Sequence, residues 1–331
     1  MTAVPAPEQP TPSGYASPAY VAAVTAAGRL RELPRSGAFV IERPVAVPDG
    51  DGGDGHGAGG APRDAMGAYP LLSCPRWREL GADLDALEAG GGIVSLVAVT
   101  DPFGDHDPAG LRRAFPDLVT PYKPHFVVDL GRPLASFVSD HHRRYARAAG
   151  RGLEVERCAA PADYLDEWTA LYGALVRRHG ISGIAAFSRA SFAAQLAVPG
   201  CQLFRARGGD ATLGMLLWYR QGETAYYHLG AYSEDGYQRR ASFPLFWRAF
   251  EALAADGVRW LDLGAAAGAQ VSASATDAGG LARFKRGWST GTRPTYLCGR
   301  IFDRPLYAEL TRARGVGPTS YFPAYREGEF V

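Results

Sequence analysis

Cysteine is scarce in this 331-residue chain: Cys74, Cys158, Cys201 and Cys298 are the only four, and no two of them form a CxxC pair. That spacing argues against a disulfide framework and a thiolate zinc site, and fits reduced structural thiols. The seven histidines contain no HExxH, so the helical zinc-hydrolase pattern is missing too. No apolar run approaches the roughly 18 residues that a membrane-spanning helix needs. The opening MTAVPAPEQPTPSGYASP has neither a basic n-region nor an apolar h-region. The expectation is a cytoplasmic protein without a membrane span. An excess of one charge is also lacking, since 35 basic residues face 34 acidic ones for a net charge of +1. Wholesale attraction to DNA or to a membrane is therefore not written into the total, and any anion-binding site must be local.

What is present is enough apolar residue, 47% of the chain, to bury a sizeable core in two domains. Residues 1–35 are expected to be a disordered Pro/Ala-rich tail and lead-in. GAFVIERPVAV (37–47) has the composition of a strand. The stretch 50–65 contains a formal GxGxxG at Gly50, Gly52 and Gly55. No helix follows to aim N–H groups at a phosphate, and Asp51 and Asp54 would repel one. A flexible linker is the better reading. WRELGADLDALEAG (77–90) spaces Trp77, Leu80, Leu84 and Leu87 as a helix, and GIVSLVAVT (92–100) and HFVVDL (125–130) are expected strands. PLASFVSDHHRRYARAAGRG (133–152) is expected to be a helix stopped by glycine, and LEVERC (153–158) begins a new strand.

The second half has clearer periodicity. PADYLDEWTALYGALVRRHG (161–180) and SRASFAAQLAVPG (188–200) are expected helices. CQLFRARG, ATLGMLLWYRQ and ETAYYHLGAY, joined by Gly-Gly-Asp and Gln-Gly, predict an antiparallel meander. In ASFPLFWRAFEALAADG (241–257), Phe243, Phe246, Trp247, Phe250 and Leu253 share a helix face, with Ser242 as expected N-cap and Pro244 just inside. VRWLDLG (258–264) predicts a strand ending at Asp262. A loop of small residues then leads into LARFKRGW, and TYLCGRIF (295–302) predicts the last strand.

The string YYHLGAYSEDGYQRRASFPLFWRAFEALAADGVRWLDLG, followed some 20 residues later by LARFKRGW, resembles the FemAB/FemX-like branch of the GNAT superfamily. HHRRYARAAGRGLEVE resembles that branch's arginine-rich helix between the halves and the strand after it. The resemblance covers about residues 70–310 and is strongest over 226–290. It implies an α/β fold of two tandem GNAT-like halves, with mixed, mostly antiparallel sheets flanked by helices. On this reading 36–150 is a degenerate N-terminal half with a Gly-rich loop at 50–60, and 151–331 is the acyltransferase half. It implies acyl transfer to an amine, from aminoacyl-tRNA in many members and from acyl-CoA in others, with no tightly bound cofactor. The acceptor would be a small molecule or a cell-envelope precursor, with tRNA a possible partner and DNA none.

Amide formation calls for an amine nucleophile, stabilisation of an oxyanion and an acceptor for the amine proton. The resemblance assigns Lys285 to the oxyanion; the bland alternative is an exposed lysine beginning a strand, with Phe284 and Trp288 in the core. In GYQRRAS (236–242), Gln238, Arg239 and Arg240 are candidates for donor phosphates at a helix N-terminus. Arg240 occupies the place where a GNAT phosphate loop carries glycine, which weakens the acyl-CoA reading. His228 is a candidate proton acceptor, against the commoner outcome of a satisfied core histidine, and Asp262 is weighed in the same way. Tyr232, Tyr237 and Trp288 are candidates for an acceptor pocket, with Arg143, Arg144 and Lys123 supplying local positive potential. No heptad run marks the coiled-coil insertion that peptidoglycan-modifying Fem enzymes often carry. A non-catalytic binding module that kept the fold is the alternative of another class.

Overall fold

The computed structural model describes residues 12–25, 28–46, 61–266 and 275–329. Their strands lie in two sheets. In lateral order the first holds β1 (Arg29–Leu33), β2 (Ala38–Pro44), β3 (Arg63–Gly67), β4 (Ile93–Val99), β13 (Tyr296–Ile301) and β5 (Leu118–Pro121). The second holds β12 (Gly291–Arg293), β6 (His125–Asp129), β11 (Trp260–Ala265), β10 (Thr224–Tyr232), β9 (Ala211–Gln221), β8 (Cys201–Gly208) and β7 (Glu154–Cys158). Within them β3 and β4 pair parallel, as do β10 and β11, while the other ladders are antiparallel. The meander expected from the two glycine turns is β8–β9–β10.

The sheets do not divide at residue 150. β6 precedes that point yet joins the second sheet, and β13 lies between β4 and β5 in the first. The chain therefore crosses between sheets twice, and the crossings run side by side. The Tyr122 N–H donates to the Thr295 carbonyl at 2.8 Å, and the Thr295 hydroxyl donates to the Lys123 carbonyl at 2.8 Å.

The lead-in is ordered from residue 12, contrary to the disordered tail expected over 1–35. Helix α1 (Pro18–Val24) is started by Ser17, whose side chain accepts from the Ala19 N–H, with proline in the first turn. Tyr15 and Tyr20 are buried with Ile41 of the first sheet and Tyr219 and Tyr226 of the second. Two tyrosines bring several hundred Å² of burial potential to a segment of low overall hydrophobicity, and that gain appears only once both sheets are present. Residues 1–11 and the Gly-rich stretch 50–60 lie outside the described residues.

Helices α2 (Trp77–Gly90), α3 (Pro108–Ala114) and α11 (Arg304–Ala313) cover the first sheet. α2 buries Trp77, Leu80, Leu84 and Leu87, the stripe its spacing predicts. Alternate residues of β9 serve opposite faces of the second sheet. Leu216 and Trp218 pack with α9 (Ser242–Ala255). Met215 and Leu217 pack with α6 (Leu165–His179) and α7 (Arg189–Leu196). The helix expected over 133–152 is two, α4 (Leu134–Phe137) and α5 (Asp140–Gly150), because Ser139 stops one and caps the other by accepting from the His142 N–H. Helix α8 (Glu234–Gln238) links β10 to α9, and Ser242 is the first residue of α9 rather than its cap. The largest difference precedes the last strands. Where a loop was expected to run into LARFKRGW, residues Ala275–Trp288 form α10. Gly279 and Gly280 dilute the helical signal there, and packing overrides it.

Candidate active site

Strands β10 and β11 pair only over Thr224–Tyr226 and Trp260–Asp262. Beyond that point β10 carries a bulge between Tyr227 and Leu229, and β11 turns at Gly264, whose φ is +72°. The two strands part, and Lys285 of α10 fills the opening. Its Nζ donates to the Ala265 carbonyl at 2.5 Å and stands 6.0 Å from the Tyr227 ring centroid. Only 7% of the residue is exposed. Burial lowers its pKa to about 8, and the Asp262 carboxylate opposes that shift. The exposed lysine of the bland alternative is thus not what the fold builds.

The last turn of α10 is fixed by His142. Its ring bonds the Ser139 hydroxyl through Nδ1 at 2.8 Å and the Phe284 carbonyl through Nε2 at 3.0 Å. Trp288 is fully buried and stacks on Phe246 at 5.7 Å. It belongs to the core beneath α9 and not to an acceptor pocket, so that expectation is corrected. Its burial with Phe284 on one side of α10 orients Lys285 toward the strand ends.

On the other side of Ala265 is a residue that sequence reasoning passed over. His125 is the register partner of Ala265, and its Nδ1 lies 2.8 Å from Asp262 Oδ2. Asp262 is 3% exposed and also accepts the Gly264 N–H at 2.7 Å. Asp101, just after β4 of the first sheet, accepts the Tyr226 hydroxyl at 2.7 Å and the Phe103 N–H at 2.8 Å. Burial raises the Asp101 pKa to about 6 against those two hydrogen bonds, and Asp262 adds to the rise. The seam between the sheets therefore gathers Asp101, His125, Asp262 and Lys285 in low-dielectric surroundings.

Asp101 has a consequence for stability. Between its ordinary value of 3.8 and about 6 the folded protein keeps a proton that the unfolded chain has lost. Stability is therefore highest below that window and falls as pH rises through it, by up to about 3 kcal/mol. Asp101→Asn should flatten this segment of the pH–stability curve measured by urea denaturation. An unchanged slope would remove Asp101 as its origin.

His228 is not placed to accept a substrate proton. Its Nε2 meets the Gln195 side-chain carbonyl at 3.1 Å and its Nδ1 meets the Tyr15 hydroxyl at 3.0 Å. The amide oxygen can only accept, so Nε2 carries the proton and Nδ1 receives Tyr15. Burial lowers its pKa to about 3, and both nitrogens are occupied. His228 is a satisfied core histidine that ties the lead-in to β10.

Tyr232 and Tyr237 do come together, with ring centroids 5.4 Å apart. The Arg178 guanidinium lies over Tyr237 at 4.4 Å and pairs with Glu234 at 2.7 Å. The arginines assemble differently from the expected donor and acceptor sets. Arg144 of α5 and Arg240 both lie over the Tyr145 ring, at 5.5 and 3.9 Å. Arg239 donates to the Gly152 carbonyl at 2.6 Å, and Gln238 ends α8 beside it. Arg143 is engaged locally with Asp140 and the Ala135 carbonyl. Arg144 is therefore a neighbour of the α8–α9 turn rather than of Tyr232. Arg240 has φ +57°, a backbone state that glycine adopts readily and arginine seldom does. Lys123 stands on the crossover two residues before His125, half buried over Tyr122, and burial lowers its pKa.

Comparison with known proteins agrees with this architecture. A family described as "Acetyltransferase (GNAT) domain" matches residues 136–286. That match covers the stretch from α4 to α10, and the chain as a whole takes a FemX-like fold. The crystal structure of FemX superposes with a TM-score of 0.62 at 13% identity, covering 88% of this chain and 93% of FemX. The C-terminal domain of a putative lysylphosphatidylglycerol synthetase from Agrobacterium fabrum gives 0.56 at 16% identity, over 88% of this chain and 89% of that one. L-PGS from Bacillus licheniformis gives 0.54 at 14%, over 94% of this chain and all of that one. No curated protein sequence matches the chain. Among the 35 basic residues only Lys123 and Lys285 are lysines, a scarcity that marks both. No such signal marks His125 or Asp101, which reach the site through sheet register and a crossover. Among the described residues no helix is long and apolar enough to cross a membrane, and no group of side chains could hold a metal ion.

Proposed function

We propose that this acyltransferase forms an amide by passing an aminoacyl group, from aminoacyl-tRNA, to the amine of a small molecule or a cell-envelope precursor. The observation that carries this reading is the Lys285 ammonium buried where β10 and β11 part. A carbonyl placed in that opening would find a desolvated cation beside the oxygen that becomes an oxyanion, where such a donor is worth several kcal/mol. Tyr227 extends the opening toward Tyr232 and Tyr237, which are suited to line an acceptor pocket. The arginines stacked on Tyr145 offer charge and an aromatic face for the phosphates of a nucleotide-bearing donor. The solved C-terminal domain of a putative lysylphosphatidylglycerol synthetase, whose name denotes an aminoacylated product, lends support to an aminoacyl donor.

One observation favours acyl-CoA as a second reading. The glycine-like φ of Arg240 preserves a sharp backbone turn at the start of α9, while its exposed side chain is laid over Tyr145. The donors separate experimentally. The protein, mixed radiolabelled aminoacyl-tRNAs and a cell extract of amines should yield labelled amide, and none when the tRNA is digested with RNase beforehand. Amide formed from labelled acetyl-CoA in a parallel incubation, or a large thermal shift on adding CoA, would instead assign the donor to acyl-CoA.

A further inference from the structure

We infer that His125, held by Asp262, is the proton acceptor for the attacking amine, and that the turn Asp262–Ala265 sets it opposite Lys285. The inference rests on the acyl-transfer reading above and adds the group that reading lacks.

The geometry follows from one irregularity in one ladder. β6 and β11 run antiparallel with Val127 opposite Asp262, and after a shift in register Ala265 stands opposite His125. The turn at Gly264 brings the Asp262 carboxylate back over the His125 ring, with Oδ2 and Oδ1 at 2.8 and 3.0 Å from Nδ1. The same turn presents the Ala265 carbonyl to Lys285. A Cβ on Gly264 would already lie 3.4 Å from the Lys285 Nζ. One short turn therefore holds an imidazole on one flank and an ammonium on the other.

A carboxylate only accepts, so the neutral His125 ring donates its Nδ1 proton to Asp262 and carries its lone pair on Nε2. That is the arrangement in which a carboxylate fixes a histidine as general base. His228 has the opposite arrangement, with Nε2 protonated and Nδ1 blocked, and both ring nitrogens of His142 are engaged by Ser139 and the Phe284 carbonyl, which leaves His125 as the base among the buried histidines near the strand opening.

In the step proposed, the amine nitrogen bonds to the ester carbonyl carbon while His125 Nε2 takes the proton that nitrogen sheds. Lys285 donates a hydrogen bond to the resulting oxyanion. The tetrahedral centre then collapses, the carbon–oxygen bond to the ribose breaks, and the His125 imidazolium returns its proton to the leaving alkoxide. Ester and amine become amide and alcohol, with no further reactant required.

The charged or titratable groups around His125 are Asp262 on β11, Asp101 after β4, Tyr226 on β10, its register partner Arg293 on β12, and Lys285 through Asp262. Two measurements test the assignment. Long-range ¹H–¹⁵N NMR on the wild-type protein should find the neutral His125 ring protonated at Nδ1; an Nε2–H tautomer overturns the proposal. His125→Gln should remain folded by thermal denaturation and lose about 10²–10³-fold in amide formation. The probes are mixed aminoacyl-tRNAs and acetyl-CoA as donors, with ethanolamine, glucosamine and putrescine as acceptors, and the loss should be greatest below the amine's own pKa. A folded His125→Gln protein with unchanged turnover overturns the role of His125 while leaving acyl transfer intact. A wild-type protein that forms no amide from either donor defeats the acyl-transfer reading itself, and this inference falls with it.

Discussion

Replacing Lys285 with methionine is expected to produce a protein that is more stable at neutral pH and nearly inactive. Lys285 is 7% exposed and its pKa falls from 10.5 to about 8, so the fold disfavours its charged form by about 3 kcal/mol. Below about pH 8 the folded and unfolded chains both keep the proton and the cost is present in full. As pH rises from about 8 to 10.5 the folded chain sheds the proton first, so stability rises across that window. Methionine fills similar volume without the charge, although it leaves the Ala265 carbonyl without this donor, a loss of about 1–3 kcal/mol. The two terms overlap, and the desolvation term is the larger because the ammonium is buried with its nearest carboxylate, Asp262, already bonded to His125. A net gain of about 1–2 kcal/mol at pH 7 is expected, and it should vanish near pH 10.5. Urea denaturation at both pH values checks this. Amide formation should fall about 10²–10³-fold, the cost of removing an oxyanion donor. A variant that is less stable at pH 7 and still active would contradict both the burial cost and the role. Wild-type activity should itself decline above about pH 8, as the ammonium loses its proton.

The second large effect is expected at Gly287. Placing a methyl there drives it into the His142 ring. Two effects oppose each other. Alanine favours a helix over glycine by about 1 kcal/mol, while the clash forces the ring out of its place. That ring cannot yield cheaply: it is bonded to Ser139 and to Phe284, and it packs 5.1 Å from both Trp288 and Phe243. Overpacking of this kind costs about 1–3 kcal/mol, and losing hydrogen bonds on both sides of the ring adds about 1 kcal/mol each. Gly287→Ala should therefore destabilise the protein by about 2–4 kcal/mol net and displace Lys285 with the end of α10. Gly279→Ala is the matched control, since a Cβ there meets nothing within 4 Å on the same helix; it should stabilise by up to about 1 kcal/mol. Thermal denaturation of the two variants decides the matter. Equal shifts of the same sign would mean that propensity rules at both positions and the His142 clamp is slack.

Much of the fold is legible because its period is local. The stripe Trp77, Leu80, Leu84, Leu87, the glycine turns of the meander and the aromatic face of α9 each declare themselves within 15 residues, and the structure has them as elements of the expected type. Lys285 was legible for a different reason. A lysine between a phenylalanine and a tryptophan in a segment with a family likeness stands out even when the local structure is misread, as it was for α10. The tail was misread because Tyr15 and Tyr20 gain their burial from two sheets that begin further along the chain.

The linear chain by itself determined the alternation of helices and strands and the presence of a lysine whose neighbours would anchor it, and the two-sheet α/β class followed from the family resemblance its motifs carry. Tertiary structure decided which residues gather around the turn that this lysine contacts. His125 comes from a strand that crosses to the second sheet, Asp262 from the last residue paired before a register shift, and Asp101 from just beyond a strand of the first sheet. It also decided that His228, the more conspicuous histidine, is locked between Tyr15 and Gln195. The physical reason is one of range. Hydrophobic period and turn chemistry act over a few residues, whereas desolvation and pairing of charges depend on contacts between segments more than 100 residues apart, and those are set by sheet order and register.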